Sequence, residues 1–384
     1  MGNCFLYKRG FGGGFGGGGE ITPEVEKTAS GKVISITDSA EKPLSGLRIF
    51  GKTTQNGTPS PDAPVPMESV GDGGSIVVSV AGKNLFSGWV SGRIFTSGVF
   101  VENVSSVRTD YIPVPYGANS FFVSGLTTDV VTMMVFYDIE KKLVGRTGSK
   151  KVSTLTHLAP ENTAWVALTS YLDDTTDPIG DKAPQNVQIE LGVTATAYEP
   201  YKEPRPTTLP TPNGLPGVHV SDGGKYTDEN GWQWICDEVD FGRGKYVQNV
   251  YYHTFNGTES DIGCTAGKNW YIKKPLATSA YGEGAVISSH YHAGTGAGGD
   301  NTGYLDKSGL VAFKDRSFTD VDALKAYLAA NPVTVCYPLA TPIETDLTPE
   351  QLAAYAALHT LSPSTTIYND ADSYMEVKYI AKGG

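Results

Sequence analysis

The sequence predicts a mainly β protein made of several β-sandwich or jelly-roll modules, with two short helices near its C-terminus. Three observations point there. Only 18% of the 384 residues are charged, and they alternate with Thr, Ser and Tyr instead of forming helical runs. Gly (46) and Pro (23) recur between short apolar stretches, as turns between strands require. Within those stretches, polar and apolar residues alternate with the period of two of a half-buried strand. A chain of this length holds two to four domains at roughly 100 to 200 residues each.

Residues 1–30 contain a low-complexity run, GFGGGFGGGG at 10–19. Its backbone entropy opposes packing unless a partner holds it, so an N-terminal attachment arm is expected. The run matches GxGxxG trivially, but no strand precedes it and no helix follows, which removes a dinucleotide reading. Residues 31–82 read as a small β module, with strands at 32–36, 47–50 and 75–80 around the turn-rich GTPSPDAPVP at 57–66. In the last of these Ile76, Val78 and Val80 share one face.

Residues 83–201 supply further strands at 97–101, 120–123, 130–137, 164–171 and 186–191, the spacing of a jelly-roll. Proline then crowds residues 202–217, where missing backbone donors predict a semi-rigid linker. The last segment, 218–384, is again β-rich. One helix is expected near 320–331, capped by Thr319 and stopped by Asn331-Pro332, with Val321, Leu324 and Leu328 on one stripe. A second is expected near 349–359: Thr348 caps it, Pro349 is its first residue, Gln351 closes a capping box, and Leu347 and Leu352 form a staple. A final strand over 374–380 buries Met375, Val377 and Tyr379.

Several functions are argued against. A net charge of −11, with no basic cluster longer than two residues, disfavours nucleic acid. The longest apolar run, VVTMMVFY at 130–137, falls short of the ~18 residues of a membrane span, and no apolar secretory core opens the chain. Cys4, Cys236, Cys264 and Cys336 lie far apart without CxxC spacing and read as reduced, mostly buried thiols. His290 and His292 share an HxH, but no further ligand stands at a suitable spacing, so no metal is expected. No cofactor is expected either, because the nucleophile-elbow, zincin and Walker signatures are absent and the GxGxxG at 294–299 leads into turns. Asp173, Asp174 and Asp177 could offer oxygens to calcium, although solvated turn acids are the plainer reading.

Two features remain as candidate chemistry. Trp89, Tyr111, Tyr116, Trp165 and Tyr171, with Tyr198, could give the 83–201 module a sugar-stacking face, although core packing would use the same residues. The stretch YTDENGWQWICDEVDFGRGKYVQ at 226–248 concentrates carboxylates beside tryptophans, as glycoside hydrolysis requires. Taking Gly242-Arg243-Gly244 as a three-residue hairpin loop pairs Asp240 with Tyr246, Val239 with Val247, Glu238 with Gln248 and Asp237 with Asn249. Glu238 and Asp240 then share a face with Cα atoms about 7 Å apart, where solvated acids are the plainer reading and no catalytic residue is expected.

Long phrases of the sequence resemble phage and prophage tail proteins of the minor structural or tail-fibre, receptor-binding type, from phages of Gram-positive gut bacteria. They are GKTTQNGTPSPDAPVPMESVGDGGSIVVSVAGKNLF at 51–86, NVQIELGVTATAYEPY at 186–201, LPTPNGLPG at 209–217, YTDENGWQWICDEVDF at 226–241 and PIETDLTPEQLAAYAALHT at 342–360. The resemblance spans residues from about 45 to the end. It implies a virion component of the tail fibre, tip or baseplate, with a carbohydrate-binding-like module at 83–201 and no catalytic residues to carry over. It also implies a homotrimer, docking to other tail proteins through the N-terminal arm, and host-glycan contacts within 86–185 and 250–310. A polysaccharide-degrading tail enzyme and a head fibre or capsid decoration protein remain alternatives.

Overall fold

The computed structural model describes residues 24–37, 41–44, 46–173, 176–265, 269–272, 285–294, 299–306, 308–315 and 317–382. The expected glycine-rich run, Cys4, Asp174 and most of the 294–299 loop lie outside the described residues. The fold is mainly β, as the composition predicts, with helices α1 (Val321–Ala330) and α2 (Pro349–Ala356).

A seven-stranded sheet runs in the order Glu24–Gly31, Tyr374–Lys382, Arg48–Phe50, Glu238–Asp240, Lys245–Phe255, Val333–Asp346, Ile287–Ser288. A four-stranded sheet runs Arg205–Pro210, Ser75–Ala81, Ser364–Asn369, Val33–Thr37. Both contribute to one core: Ile76, Val78 and Val80 meet Ile34, Ile36 and Ile367, with Ile49, Val239, Met375 and Val377 from the larger sheet. Each such fully buried side chain contributes about 1.5–3 kcal/mol. A second core, around Phe255, Tyr291, Phe313 and Val335, is closed by Leu324 and Leu328 of α1.

Residues 83–201 are inserted between two paired strands. The chain leaves at Ala81 and returns at Arg205, which pairs with Val80. The insert is itself a sandwich. One sheet centres on Val131–Tyr137 and Trp165–Tyr171, the other on Ser120–Ser124 between Leu155–Leu158 and Gln188–Leu191. Val131–Tyr137 does not alternate because both its faces are covered: Met134 and Phe136 enter the sandwich core, while Met133, Val135 and Tyr137 pack against Ile94 and Phe100 of an overlying hairpin.

Five expectations are corrected. Residues 31–82 and 218–384 share both large sheets, since Val33–Thr37 pairs with Ser364–Asn369 and Arg48–Phe50 pairs with Tyr374–Lys382. Pairings across 300 residues leave no local mark that periodicity can detect. Within 202–217, residues 205–210 form a strand; it lies at the sheet edge, where Pro206 and Pro210 forfeit no ladder bond on the open side. Asp320, and not Thr319, caps α1, accepting from Ala323 N–H at 2.8 Å. The α2 capping box forms as expected, but its staple is one-sided, with Leu347 in the core and Leu352 41% exposed.

The fifth correction concerns the hairpin at 238–247. Its register is Glu238 with Val247, Val239 with Tyr246 and Asp240 with Lys245, one residue from the expected pairing. Asp240 Oδ1 accepts Arg243 N–H at 3.0 Å and Gly244 N–H bonds Phe241 O at 3.2 Å, which draws Phe241 into a four-residue turn. The strand lies inside the seven-stranded sheet with both faces covered, so the acids are buried on either side of it, Asp237 1%, Glu238 2% and Asp240 6% exposed.

Candidate functional site

Alternation in the four-stranded sheet sends Val77 and Ser79 away from the core, and Tyr368 on the neighbouring strand joins them. These side chains floor a cleft of 1760 Å³. The roof is one end of the inserted sandwich: the loops at 113–119, 138–140 and 159–165. Aromatic side chains reach the lining from both bodies, Tyr116, Trp165 and Tyr201 from the insert and Tyr368 and Tyr374 from the main sandwich.

A polar clasp joins the two bodies at the cleft edge. Lys32 Nζ lies 2.7 Å from Glu229 Oε1, 2.9 Å from Asp372 Oδ1 and 5.3 Å from the Tyr116 ring centre. Lys52 reaches the other Asp372 oxygen at 3.0 Å. Burial pulls the Lys32 ammonium down, but hydrogen bonds to Glu229 and Asp372 outweigh it and hold the group above the ordinary lysine value. For Asp372, burial pushes upward and the two lysines prevail, so its carboxyl is held low. Burial, then the Asp372 charge, raises the Tyr116 phenol. Gly117 makes the contact possible: its φ is +85°, and a Cβ there would stand 2.8 Å from the Lys32 stem.

The stretch at 226–234 is braced as a turn. Asp228 accepts from the Asn230 and Trp232 amides at 2.9 Å each and from Trp234 Nε1 at 3.0 Å. Burial raises its carboxyl, but these donors prevail and hold it low. Tyr226 stacks on Tyr374 with ring centres 4.6 Å apart. The carboxylates that follow are neutralised internally. Arg48 lies 2.7 Å from Glu238, 3.7 Å from Asp240 and 3.3 Å from Glu376. Asp237 accepts from Tyr246 Oη at 2.5 Å and from the Asn249 and Val250 amides at 2.7 and 2.9 Å. Burial nevertheless pushes its carboxyl up to about 7. Glu238 and Asp240 are spent on locking Arg48 into the sheet, and neither lines the cleft.

The five sequence-predicted aromatics separate. Tyr116 and Trp165 line the cleft. Tyr111 stacks on Phe100 at 4.6 Å, carries Lys141 over its ring at 4.7 Å, and lines a smaller pocket with Asn84 and Tyr201. Trp89 donates Nε1–H to Pro184 O at 2.8 Å and packs against Phe86, a wedge in the insert. Tyr171 is buried beneath the Arg93 guanidinium, 3.6 Å from its ring centre. Tyr368 and Tyr374 escape a sequence reading because only the long-range pairing of their strands brings them to the cleft, and Tyr201 because it stands in the irregular segment before Arg205–Pro210.

Among the described residues no three His, Cys, Asp or Glu side chains converge on a metal-sized site. His290 is buried, bonds Ser289 Oγ through Nδ1 at 2.8 Å, and its imidazole is pulled down by that burial. Asp173 pairs with Lys151 at 2.7 Å. Cys236 and Cys336 are buried free thiols, both pushed up by desolvation. No described helix is long and apolar enough to cross a membrane.

No family model and no curated protein matches the chain. Among solved structures it is similar to one titled "Structure of infectious bursal disease virus Gt strain", with 13% identity over 89% of this chain and 74% of that chain. The TM-score is 0.10, and the likeness carries no argument.

Proposed function

We propose that the protein is a structural component of a phage tail, in the fibre, tip or baseplate, that binds host-surface carbohydrate in the cleft between its two sandwiches. The observation that carries the binding role is the cleft itself, which aromatic side chains from two bodies line together with polar groups. Sugars offer apolar C–H faces and a rim of hydroxyls, and such a lining matches both. The assignment to a tail rests on the phrases quoted above. In this reading the N-terminal arm docks to other tail proteins, and the chain works as a homotrimer without a cofactor.

The test is equilibrium binding of purified protein to host-wall glycan. Trp165→Ala and Tyr116→Ala should each lower affinity about tenfold, the ~1.4 kcal/mol of one lost stacking contact. Trp165→Phe, which keeps a ring, should retain most of it and controls for folding. Unchanged affinity in both alanine variants sinks the reading. New reducing ends released during incubation would favour the enzymatic alternative, and labelled particles imaged with the protein on heads would favour a head fibre.

A further inference from the structure

The two sandwiches keep separate cores. That of the insert, around Phe121, Phe136 and Ile189, takes in no side chain of the main sandwich, and that around Ile76, Ile367 and Met375 takes in none from residues 83–201. Among the described residues the ion pairs within 86–196 are internal, Arg108 with Asp110 and Lys151 with Asp173. The ring contact that crosses between the bodies is that of Tyr116, centred 5.3 Å from Lys32 Nζ, with Gly117 against the Lys32 stem. Two bodies in one chain move relative to one another unless a large apolar interface joins them.

The neck and this contact stand on opposite edges of the cleft floor. The register of the four-stranded sheet sets Arg205 beside Val80, Val80 beside Ile367 and Ile367 beside Ile34. Arg205, where the insert returns, is therefore three strand spacings from Ile34, roughly 14 Å, and Lys32 lies two residues before Ile34. Residues 82–83 and 201–204, which carry the chain between the floor strands and the insert, belong to no strand. They run side by side, since a Cβ on Gly82 would stand 3.3 Å from Lys202. Short segments at the ends of elements are where hinges absorb rotation.

We infer that the inserted sandwich is a hinged jaw: it turns as a rigid body on residues 82–83 and 201–204, and the Tyr116 ring seated on Lys32 latches it over the floor. The post of the latch is fixed from the floor side, because Glu229 and Asp372, which hold Lys32 at 2.7 and 2.9 Å, both belong to the main sandwich. Releasing the ring leaves the post in place. A cation–ring contact shifts a two-state equilibrium by about tenfold, enough to favour the closed jaw and little enough to let it open. Opening lifts loops 113–119, 138–140 and 159–165 away from the floor and widens the cleft they roof. The inference concerns the width of the cleft and holds for any ligand it takes.

The experiment measures distances by double electron–electron resonance on the full-length protein, with spin labels on ketone side chains introduced in place of two exposed residues, Lys142 of the insert and Thr341 of the main sandwich. Wild type should show one dominant distance. Tyr116→Ala and Lys32→Met should each raise the open-to-closed ratio about tenfold, seen as a second, broader population. Tyr116→Phe, which keeps the ring over the ammonium, should match wild type. A second label pair within the insert, at the exposed Lys142 and Lys182, should give the same distance in every variant. A Lys142–Thr341 distribution that is identical in wild type, Tyr116→Ala and Lys32→Met overturns the latch, whether it is narrow or broad. Release by Tyr116→Phe also overturns it, and broadening of the Lys142–Lys182 distance overturns the rigid-body swing.

Discussion

Asp237→Asn tests whether burial or hydrogen bonding controls the most deeply placed carboxyl of the 226–248 stretch. Burial opposes the charge, three donors favour it, and the balance raises the carboxyl from 3.8 to about 7. A folded state that holds the proton more tightly than the unfolded chain gains stability from it below pH ~4. That gain is lost as pH rises through about 7. The rise corresponds to about 4 kcal/mol, at 1.36 kcal/mol for each tenfold change in proton affinity. Asparagine keeps an oxygen for the two amides and can donate to Tyr246 Oη, so the variant has matching geometry without the titration. Urea unfolding from pH 4 to pH 8, followed by tryptophan fluorescence and far-ultraviolet circular dichroism, should show wild type losing about 4 kcal/mol relative to Asp237→Asn. Tyr246→Phe removes one donor and should steepen that loss. A difference that stays flat or grows in favour of wild type would mean that the donors keep Asp237 ionised, and the desolvation argument would be wrong.

Asn84 is buried and spans the neck of the insert, donating to Val187 O and Glu199 O and accepting from the Phe86 and Ile189 amides. Asn84→Ala should cost about 2–4 kcal/mol, from orphaned backbone groups, and speed proteolysis within 83–201. Gly117→Ala forces a side chain into φ +85° against the Lys32 stem. It should cost about 1–2 kcal/mol and weaken glycan binding in the same titration used for Tyr116→Ala. Thr348→Ala removes the acceptor for the Gln351 amide at 3.3 Å and should lower stability by about 1 kcal/mol without altering binding.

Local features were well legible. The period-two run at 75–80 fell on Ser75–Ala81 with the expected side buried, and the signals Thr348, Pro349 and Gln351 placed α2 and its capping box. Failures came where a side chain overruled the turn pattern or where distant segments met. Asp240 capping Arg243 lengthened a loop by one residue, and the pairing of Glu238–Asp240 with the distant Arg48–Phe50 enclosed three acids expected at the surface. The proline-rich 205–210 segment became an edge strand because Ser75–Ala81 offered it an open neighbour.

The site was partly legible for the same reason. Tyr116 and Trp165 could be named as aromatic residues of the insert, but nothing local separated them from Trp89 and Tyr171, which the insert uses for packing. The floor was invisible. Tyr368 stands beside Ser79 only through a pairing of strands nearly 300 residues apart. Sequence periodicity reports which face of a strand is buried, never which strand lies next to it.

The neck gives the quoted phrases a physical meaning. Asn84 of GKNLF meets Glu199 of TATAYEPY, Lys83 reaches Glu199 at 2.9 Å, and Ser364 of the main sandwich donates to the same carboxylate at 2.7 Å. Glu190 accepts from the Thr196 amide and hydroxyl, folding the return segment back on itself. These residues hold the insert's two ends together and touch neither Tyr116 nor Trp165. Because exit and re-entry are adjacent strands of one sheet, the loops of the insert can differ without disturbing the pairing of Val80 with Arg205. A cleft whose roof comes from such an insert and whose floor comes from the carrying sheet divides its labour. In the proposed glycan-binding role the floor would fix where the ligand lies, while loops 113–119, 138–140 and 159–165 would determine which ligand is accepted.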